Sequence, residues 1–165
     1  MMHTISVLVE NKAGVLSRIS GLFARRGFNI DSLAVGITED PDISRITVVV
    51  YGDDYIAEQV EKQLNKQIDV LKVKKLPAEQ LTRREVALVK VQWDSAQRGE
   101  IIDTVKIMDG KIVDLSHTTM TIEICDRPEK IDLLVDLLSQ YDIQEIARTG
   151  TVALQKGAGT IGYKG

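Results

Sequence analysis

Apolar residues in the first half of the chain recur with two periods, one of two residues and one of 3.6 residues. The period of two predicts a strand with one buried face, and the period of 3.6 predicts an amphipathic helix. Between residues 4 and 75 they alternate as strand, helix, strand, strand, helix, strand. The apolar positions that define these elements are Ile5, Val7 and Val9; Val15, Ile19 and Leu22; Leu33, Val35 and Ile37; Ile46, Val48 and Val50; Ile56, Val60 and Leu64; and the run 70–75. This order is the split β-α-β-β-α-β unit of ferredoxin-like folds.

The same order repeats in the second half of the chain. The apolar positions of the repeat are the strand 86–91; Ile101, Val105 and Met108; the strand 112–115; Met120, Ile122 and Ile124; Ile131, Leu134 and Leu138; and the strand 143–148. Asp126 is expected to cap the last helix, with Pro128 and Glu129 in its first turn. The sequence therefore predicts an α+β protein with two ferredoxin-like βαββαβ domains in tandem. The expected bounds are 1–76 and 84–157, with a linker at 77–83 and a flexible tail at 158–165.

Composition narrows the classes of function. The 165 residues are 44% hydrophobic and 27% charged, and the net charge of −3 gives no basic surplus for binding nucleic acid. A single cysteine, Cys125, excludes an internal disulfide and is compatible with a reducing cytosol. No apolar run approaches the roughly 18 residues of a membrane span, and the first residues lack a secretory signal. We expect a cytoplasmic protein that binds neither nucleic acid nor membrane.

The turn that joins the first strand to the first helix carries the most suggestive chemistry. A helix N-terminus offers free N–H groups and partial positive charge, on which a carboxylate can bind. Gly14 lacks the Cβ atom that would hinder close approach. The carboxamides of Asn11 and Asn29 both donate and accept hydrogen bonds. The neighbouring apolar residues are Val15, Leu16 and Ile30. These groups suit an amino-acid zwitterion, and the alternative interpretation is a purely structural turn.

The other candidate residues are expected to have structural roles. His3 and His117 have no partners at metal-ligand spacing and are expected at the surface or in turns. Cys125 is expected to be a small buried residue, and Trp93 is expected to be partly buried at a strand end. No recognised catalytic or nucleotide-binding motif occurs. The sequence therefore predicts no catalytic residue and no metal site.

The segment from Asn11 to Leu33 resembles the signature of an ACT domain, the amino-acid-sensing module. Further segments resemble one family in particular, the small regulatory subunit of acetolactate synthase (acetohydroxyacid synthase). These segments are 40–47, 59–75, 84–91 and 145–150, the last of which contains Ala147-Arg148-Thr149-Gly150. The resemblance covers residues from about 2 to 157.

The resemblance implies a non-catalytic subunit that activates a separate, large catalytic subunit and makes it sensitive to branched-chain amino acids. That partner would condense pyruvate into 2-acetolactate and would hold thiamine diphosphate, Mg and FAD, so no cofactor is expected in this chain. The resemblance also implies a feedback site for valine. Its expected residues are Asn11, Ala13, Gly14, Val15, Leu16, Asn29 and Ile30.

The strand 30–37 is expected at a sheet edge, because it follows a right-handed crossover from the first strand with the third strand between them. An apolar edge strand favours pairing with a second copy, most commonly about a two-fold axis. We therefore predict a homodimer through these edge strands.

Three alternatives remain open at this stage. An ACT-type regulator of another enzyme would share the same turn. An amino-acid-responsive transcription regulator would need a helix-turn-helix and a basic face, and neither is visible. An acylphosphatase would need a catalytic arginine in the loop after the first strand, where this chain has Lys12, whereas Arg18 falls within the predicted helix.

Overall fold

The computed structural model describes residues 1–162 and divides the chain into two compact units. The first unit comprises Met1–Thr82 together with the described residues from Thr151 onward, and the second comprises Arg83–Gly150. Each unit contains the predicted βαββαβ order, and the α+β class is confirmed. In the first unit the elements are β1 (Met2–Glu10), α1 (Val15–Arg26), β2 (Ile30–Ile37), β3 (Ile43–Tyr51), α2 (Asp54–Asn65) and β4 (Val70–Leu76).

The first sheet is antiparallel with the strand order β2-β3-β1-β4, so β2 lies at an edge as expected. One face of this sheet packs on α1 and α2. The buried residues of that core are Ile5, Val7, Val9, Val15, Ile19, Leu22, Phe23, Ile46, Val48, Val50, Val60, Leu64 and Val73. Helix α1 ends at Arg26 and is followed by Gly27, whose left-handed φ of 66° turns the chain so that the N–H of Phe28 donates to the carbonyl of Phe23 at 3.1 Å.

The helix-free face of the first sheet is contacted by the C-terminal part of the chain. The N–H of Thr151 donates to Ser32 Oγ at 2.7 Å, and Lys74 Nζ donates to the carbonyl of Thr160 at 2.6 Å. Between these contacts lies a strand that the sequence analysis did not predict, β9 (Val152–Gln155). The part of the expected flexible tail beyond residue 162 lies outside the described residues.

The second unit repeats the topology with the strand order β6-β7-β5-β8. A short 3-10 helix (Ala78–Gln80) precedes it, and β5 begins at Leu81, inside the expected linker. Its elements are β5 (Leu81–Gln92), α3 (Arg98–Ile107), β6 (Lys111–Leu115), β7 (Thr119–Asp126), α4 (Pro128–Leu138) and β8 (Asp142–Arg148). Its core contains the predicted apolar residues of β7, α3 and α4.

The predicted cap of α4 is wrong by one residue. Arg127, not Asp126, is the N-cap residue, and it is extended at φ −62° and ψ 146° with no side-chain cap. Pro128 is the first helical residue, and a proline holds the residue before it in the extended region. The Asp126 carboxylate instead accepts the N–H of Arg127 at 2.7 Å and pairs with Lys130 at 2.9 Å.

Two expectations about burial are also wrong. Cys125 is exposed, because it alternates along β7 with the buried Ile122 and Ile124 and so lies on the opposite face of the sheet. His3 is only 7% exposed, since it lies in the central strand β1, and its Nε2 is 3.2 Å from the carbonyl of Gly52. His117 is exposed and Trp93 is half-buried just beyond β5, as predicted.

Candidate functional site

The turn between β1 and α1 is tied to the β2–β3 connection by Asn11. The backbone N–H of Asn11 donates to the carbonyl of Asp42 at 2.7 Å, and its Nδ2 donates to the carbonyl of Pro41 at 2.9 Å. The carboxamide nitrogen of Asn11 therefore already has a structural partner. Its role is to hold the turn in place at this end of the sheet.

Several backbone N–H groups in this turn have no hydrogen-bond partner among residues 1–162. The N–H of Val15 reaches Lys12 at 3.4 Å, and the N–H of Arg18 bonds to Gly14 at 3.0 Å. Within the described residues, no hydrogen bond reaches the N–H groups of Ala13, Gly14, Leu16 or Ser17. These residues are exposed, so the N–H groups are accessible to water.

No side chain among residues 1–162 caps this helix N-terminus. Gly14 is the N-cap residue, with a left-handed φ of 84°, and it offers no side-chain acceptor. The first turn of α1 carries no acidic residue. The Lys12 ammonium is 2.8 Å from the Glu10 carboxylate, whose hydrogen bond raises the pKa of Lys12. An open helix N-terminus of this kind is suited to an anionic group.

The apolar residues expected around a ligand side chain occupy different environments. Val15 is 3% exposed and packs in the core, so its side chain faces away from the turn surface. Leu16 is 44% exposed and lies beside the turn. Ile30 is partly buried against the core. Of the three, Leu16 offers the most apolar surface next to the open N–H groups.

Asn29 and Ile30 do not meet the turn within one chain. Ile30 pairs with Val50, which pairs with His3 near the start of β1, whereas the turn follows Glu10 at the other end. His3 and Glu10 are seven positions apart, or about 24 Å at the rise of a strand. The structure therefore brings together residues 11–16 at one end of the first sheet and leaves Asn29 and Ile30 at the opposite end.

A charged pair that the sequence did not predict lies beside the turn. Arg18 Nε donates to Asp69 Oδ2 at 2.7 Å, although the two residues are 51 positions apart. The backbone carbonyl of Asp69 also accepts the N–H of Glu10 at 2.9 Å. The available signal was the spacing of Arg18 four residues after Gly14, which places it above the turn on the helix.

Two other features, a membrane-spanning helix and a cluster of metal ligands, are absent from residues 1–162. No helix there is long and apolar enough to cross a membrane. Among the same residues, no group of three or more His, Cys, Asp or Glu side chains is arranged to hold a metal ion.

Two family models match the chain, one in each half. A model described as an AHAS small subunit-like ACT domain matches residues 5–72. A second, described as the small subunit of acetolactate synthase, matches residues 84–157. Together they cover most of both βαββαβ units.

Individual relatives agree with these matches over nearly their whole lengths. The chain is 50% identical to a probable acetolactate synthase small subunit of Archaeoglobus fulgidus, covering 95% of this chain and 98% of the relative. It is 49% identical to the acetolactate synthase small subunit of Mycolicibacterium smegmatis, covering 97% and 94%. The crystal structure of the acetolactate synthase small subunit from Thermotoga maritima matches with a TM-score of 0.89 and 43% identity, covering 95% and 98%.

Proposed function

The chain belongs to the family of acetolactate synthase small subunits, and we propose that it senses valine, or a related branched-chain amino acid, as feedback inhibitor of a catalytic partner. Its first unit is an ACT domain. In this proposal the chain binds the large catalytic subunit in the cytoplasm, raises its rate of 2-acetolactate formation from pyruvate, and lowers that rate when the effector binds. Thiamine diphosphate, Mg and FAD belong to the large subunit.

The observation that supports the effector site best is the open helix N-terminus at Gly14. The N–H groups of Ala13, Gly14, Leu16 and Ser17 have no acceptor among residues 1–162, and no acidic side chain lies in the first turn of α1. The α-carboxylate of an amino acid is the group that such a turn accepts. The exposed Leu16 side chain provides apolar surface for an aliphatic effector.

A two-fold dimer through β2 would complete this site. Ile37 at the end of β2 pairs with Ser44, which pairs with Val9, so the end of β2 lies at the same sheet end as the turn. If β2 pairs antiparallel with its copy, the start of the second β2 approaches this end. Asn29 and Ile30 of the partner subunit then come to the turn that their own chain leaves about 24 Å away.

The edge strand has the composition that such pairing needs. Val35 and Ile37 of β2 are 47% and 65% exposed. Exposed apolar residues on an unpaired edge strand favour association. The proposed effector therefore binds between two copies, with the carboxylate on one and the carboxamide of Asn29 on the other.

Reconstitution tests the proposal directly. The purified chain is mixed with its catalytic subunit and pyruvate, and 2-acetolactate formation is measured with and without valine, leucine or isoleucine. We expect the chain to raise the rate and a branched-chain amino acid to lower it again. Alanine, which has the same charges and a smaller side chain, is the control effector. A chain that leaves the rate unchanged, or inhibition that alanine reproduces equally, would contradict the proposal.

A further inference from the structure

Arg18 lies directly over the Gly14 turn. Its Nη1 atom is 2.9 Å from the point where a Cβ atom would stand on Gly14. At the other edge of the guanidinium, Arg18 Nε donates to Asp69 Oδ2 at 2.7 Å. The Arg18 side chain is 51% exposed and that of Asp69 is 13% exposed. A largely buried carboxylate thus holds a guanidinium that extends over an exposed turn.

The remaining donors of Arg18 are available to a ligand. A guanidinium has five N–H groups in a fixed plane, and in residues 1–162 only Nε has an acceptor. Because Asp69 fixes the plane, the Nη groups are oriented before any ligand arrives. Arginine donors in this arrangement bind a carboxylate through two parallel hydrogen bonds.

We infer that Arg18 is a binding residue of the effector site, whose Nη groups donate hydrogen bonds to the α-carboxylate that the N–H groups of the turn also bind. The inference rests on the proposed function and adds one positively charged residue, Arg18, to the proposed effector site. Gly14 leaves room for the guanidinium over the turn, since a Cβ atom there would stand 2.9 Å from Nη1. Arg18 would make the site selective for a carboxylate over a neutral group.

The competing explanation is that Arg18 and Asp69 only brace α1 against the α2–β4 connection. A half-exposed ion pair contributes little to stability. Loss of a brace would lower the melting temperature without changing which effector groups the site prefers. Comparison of valine with valinamide separates the two roles, because valinamide keeps the ammonium group and side chain but lacks the carboxylate.

The experiment measures both dissociation constants by calorimetry on the full-length chain and on Arg18→Gln. Arg83→Gln is the control, because it breaks an arginine–carboxylate pair with Glu129 in the second unit. We expect the parent chain and the control to prefer valine over valinamide by at least about tenfold, the effect of losing one or two charge-assisted hydrogen bonds. In Arg18→Gln the affinity for valine should fall by about tenfold while that for valinamide stays within about twofold.

Each outcome decides between the explanations. If Arg18→Gln keeps the parent preference for valine, Arg18 does not bind the carboxylate and the inference is overturned. If the parent chain binds none of the branched-chain amino acids, the proposed function fails first and the inference with it. Arg18→Met, which keeps the aliphatic stem of the side chain, replaces Arg18→Gln if the glutamine variant melts below the assay temperature.

Discussion

Gly14→Asp should abolish valine inhibition while the catalytic partner is still activated. Gly14 has a left-handed φ of 84°, a conformation that aspartate tolerates better than most residues. The new Cβ would stand 2.9 Å from Arg18 Nη1, which is a side-chain atom and not backbone, so a small shift of the guanidinium accommodates it without a change of fold. The backbone cost to folding is about 1 kcal/mol, which most domains withstand.

The electrostatic cost to binding is larger. The new carboxylate would lie beside the position proposed for the carboxylate of the effector. Two unit charges about 4 Å apart repel by roughly 4 kcal/mol at an effective dielectric constant of 20. A quarter of that repulsion weakens binding about fivefold, since 1.4 kcal/mol corresponds to a factor of ten. The new carboxylate would also pair with the Arg18 guanidinium and compete with the effector for it.

Gly14→Asn is the matched control, because asparagine has nearly the same shape, tolerates the left-handed region and carries no charge. The assay is 2-acetolactate formation by the reconstituted complex across a valine titration, together with calorimetry on the isolated chain. Inhibition should weaken in the order parent, Gly14→Asn, Gly14→Asp, with activation at zero valine nearly constant. If Gly14→Asp folds, associates and is inhibited like the parent chain, the effector site is not at this turn.

Three further predictions concern association, the C-terminal segment and pH. Ile37→Lys on the edge strand should shift the chain toward a monomer in sedimentation and weaken valine binding, whereas Ile68→Lys, at a 91% exposed position outside the sheet, should change neither. A fragment of residues 1–82 should melt lower than the same fragment with residues 151–162 fused to it, because that segment contacts the helix-free face; equal melting would show that the contacts add nothing. The hydrogen bond from Lys130 lowers the pKa of Asp126, so its stabilisation is present above the ordinary carboxyl pKa and lost as pH falls through the lowered value. Asp126→Asn should therefore lower the melting temperature at pH 7 more than at pH 2, and an equal loss at both would exclude the charge as the cause.

The main elements of the fold were predictable because each one buries a face that its own residues define. The six elements of each unit follow apolar periods that need no knowledge of distant contacts. Strand β9 breaks this rule. Its small residue Ala153 is buried, whereas its larger apolar residues Val152 and Leu154 are 53% and 61% exposed. The usual association of large apolar side chains with the buried face therefore fails for β9.

Burial on the outer face of a sheet depended on segments far away in the sequence. In the first sheet, Leu8 is only 4% exposed although it lies opposite the helix-packed face, because that face is contacted by the C-terminal segment. In the second sheet, the outward Cys125 is exposed. Alternation within a strand separates the two faces, but it does not reveal what covers each of them.

The candidate site was predictable only in part. The glycine turn and its helix follow from local sequence, and so does their relation to Asn11. The pair of Arg18 with Asp69 joins residues 51 positions apart, and no local pattern connects them. The separation of Asn29 from the turn follows from α1, because a helix of 12 residues carries the chain about 18 Å back along the sheet.

The second unit shows why the proposed effector site depends on the turn and not on the fold. The topologically equivalent turn follows β5, and there Asp94 Oδ1 accepts the N–H groups of Ala96 and Gln97, both at 2.9 Å. A carboxylate of the protein thus binds N–H groups in the turn that precedes α3. At the first turn, Asn11 instead directs its carboxamide to Pro41, and Gly14 offers no acceptor, so the N–H groups stay open. The same βαββαβ fold therefore leaves N–H groups open at the first turn and uses a carboxylate of the protein to bind N–H groups at the equivalent turn of the second unit.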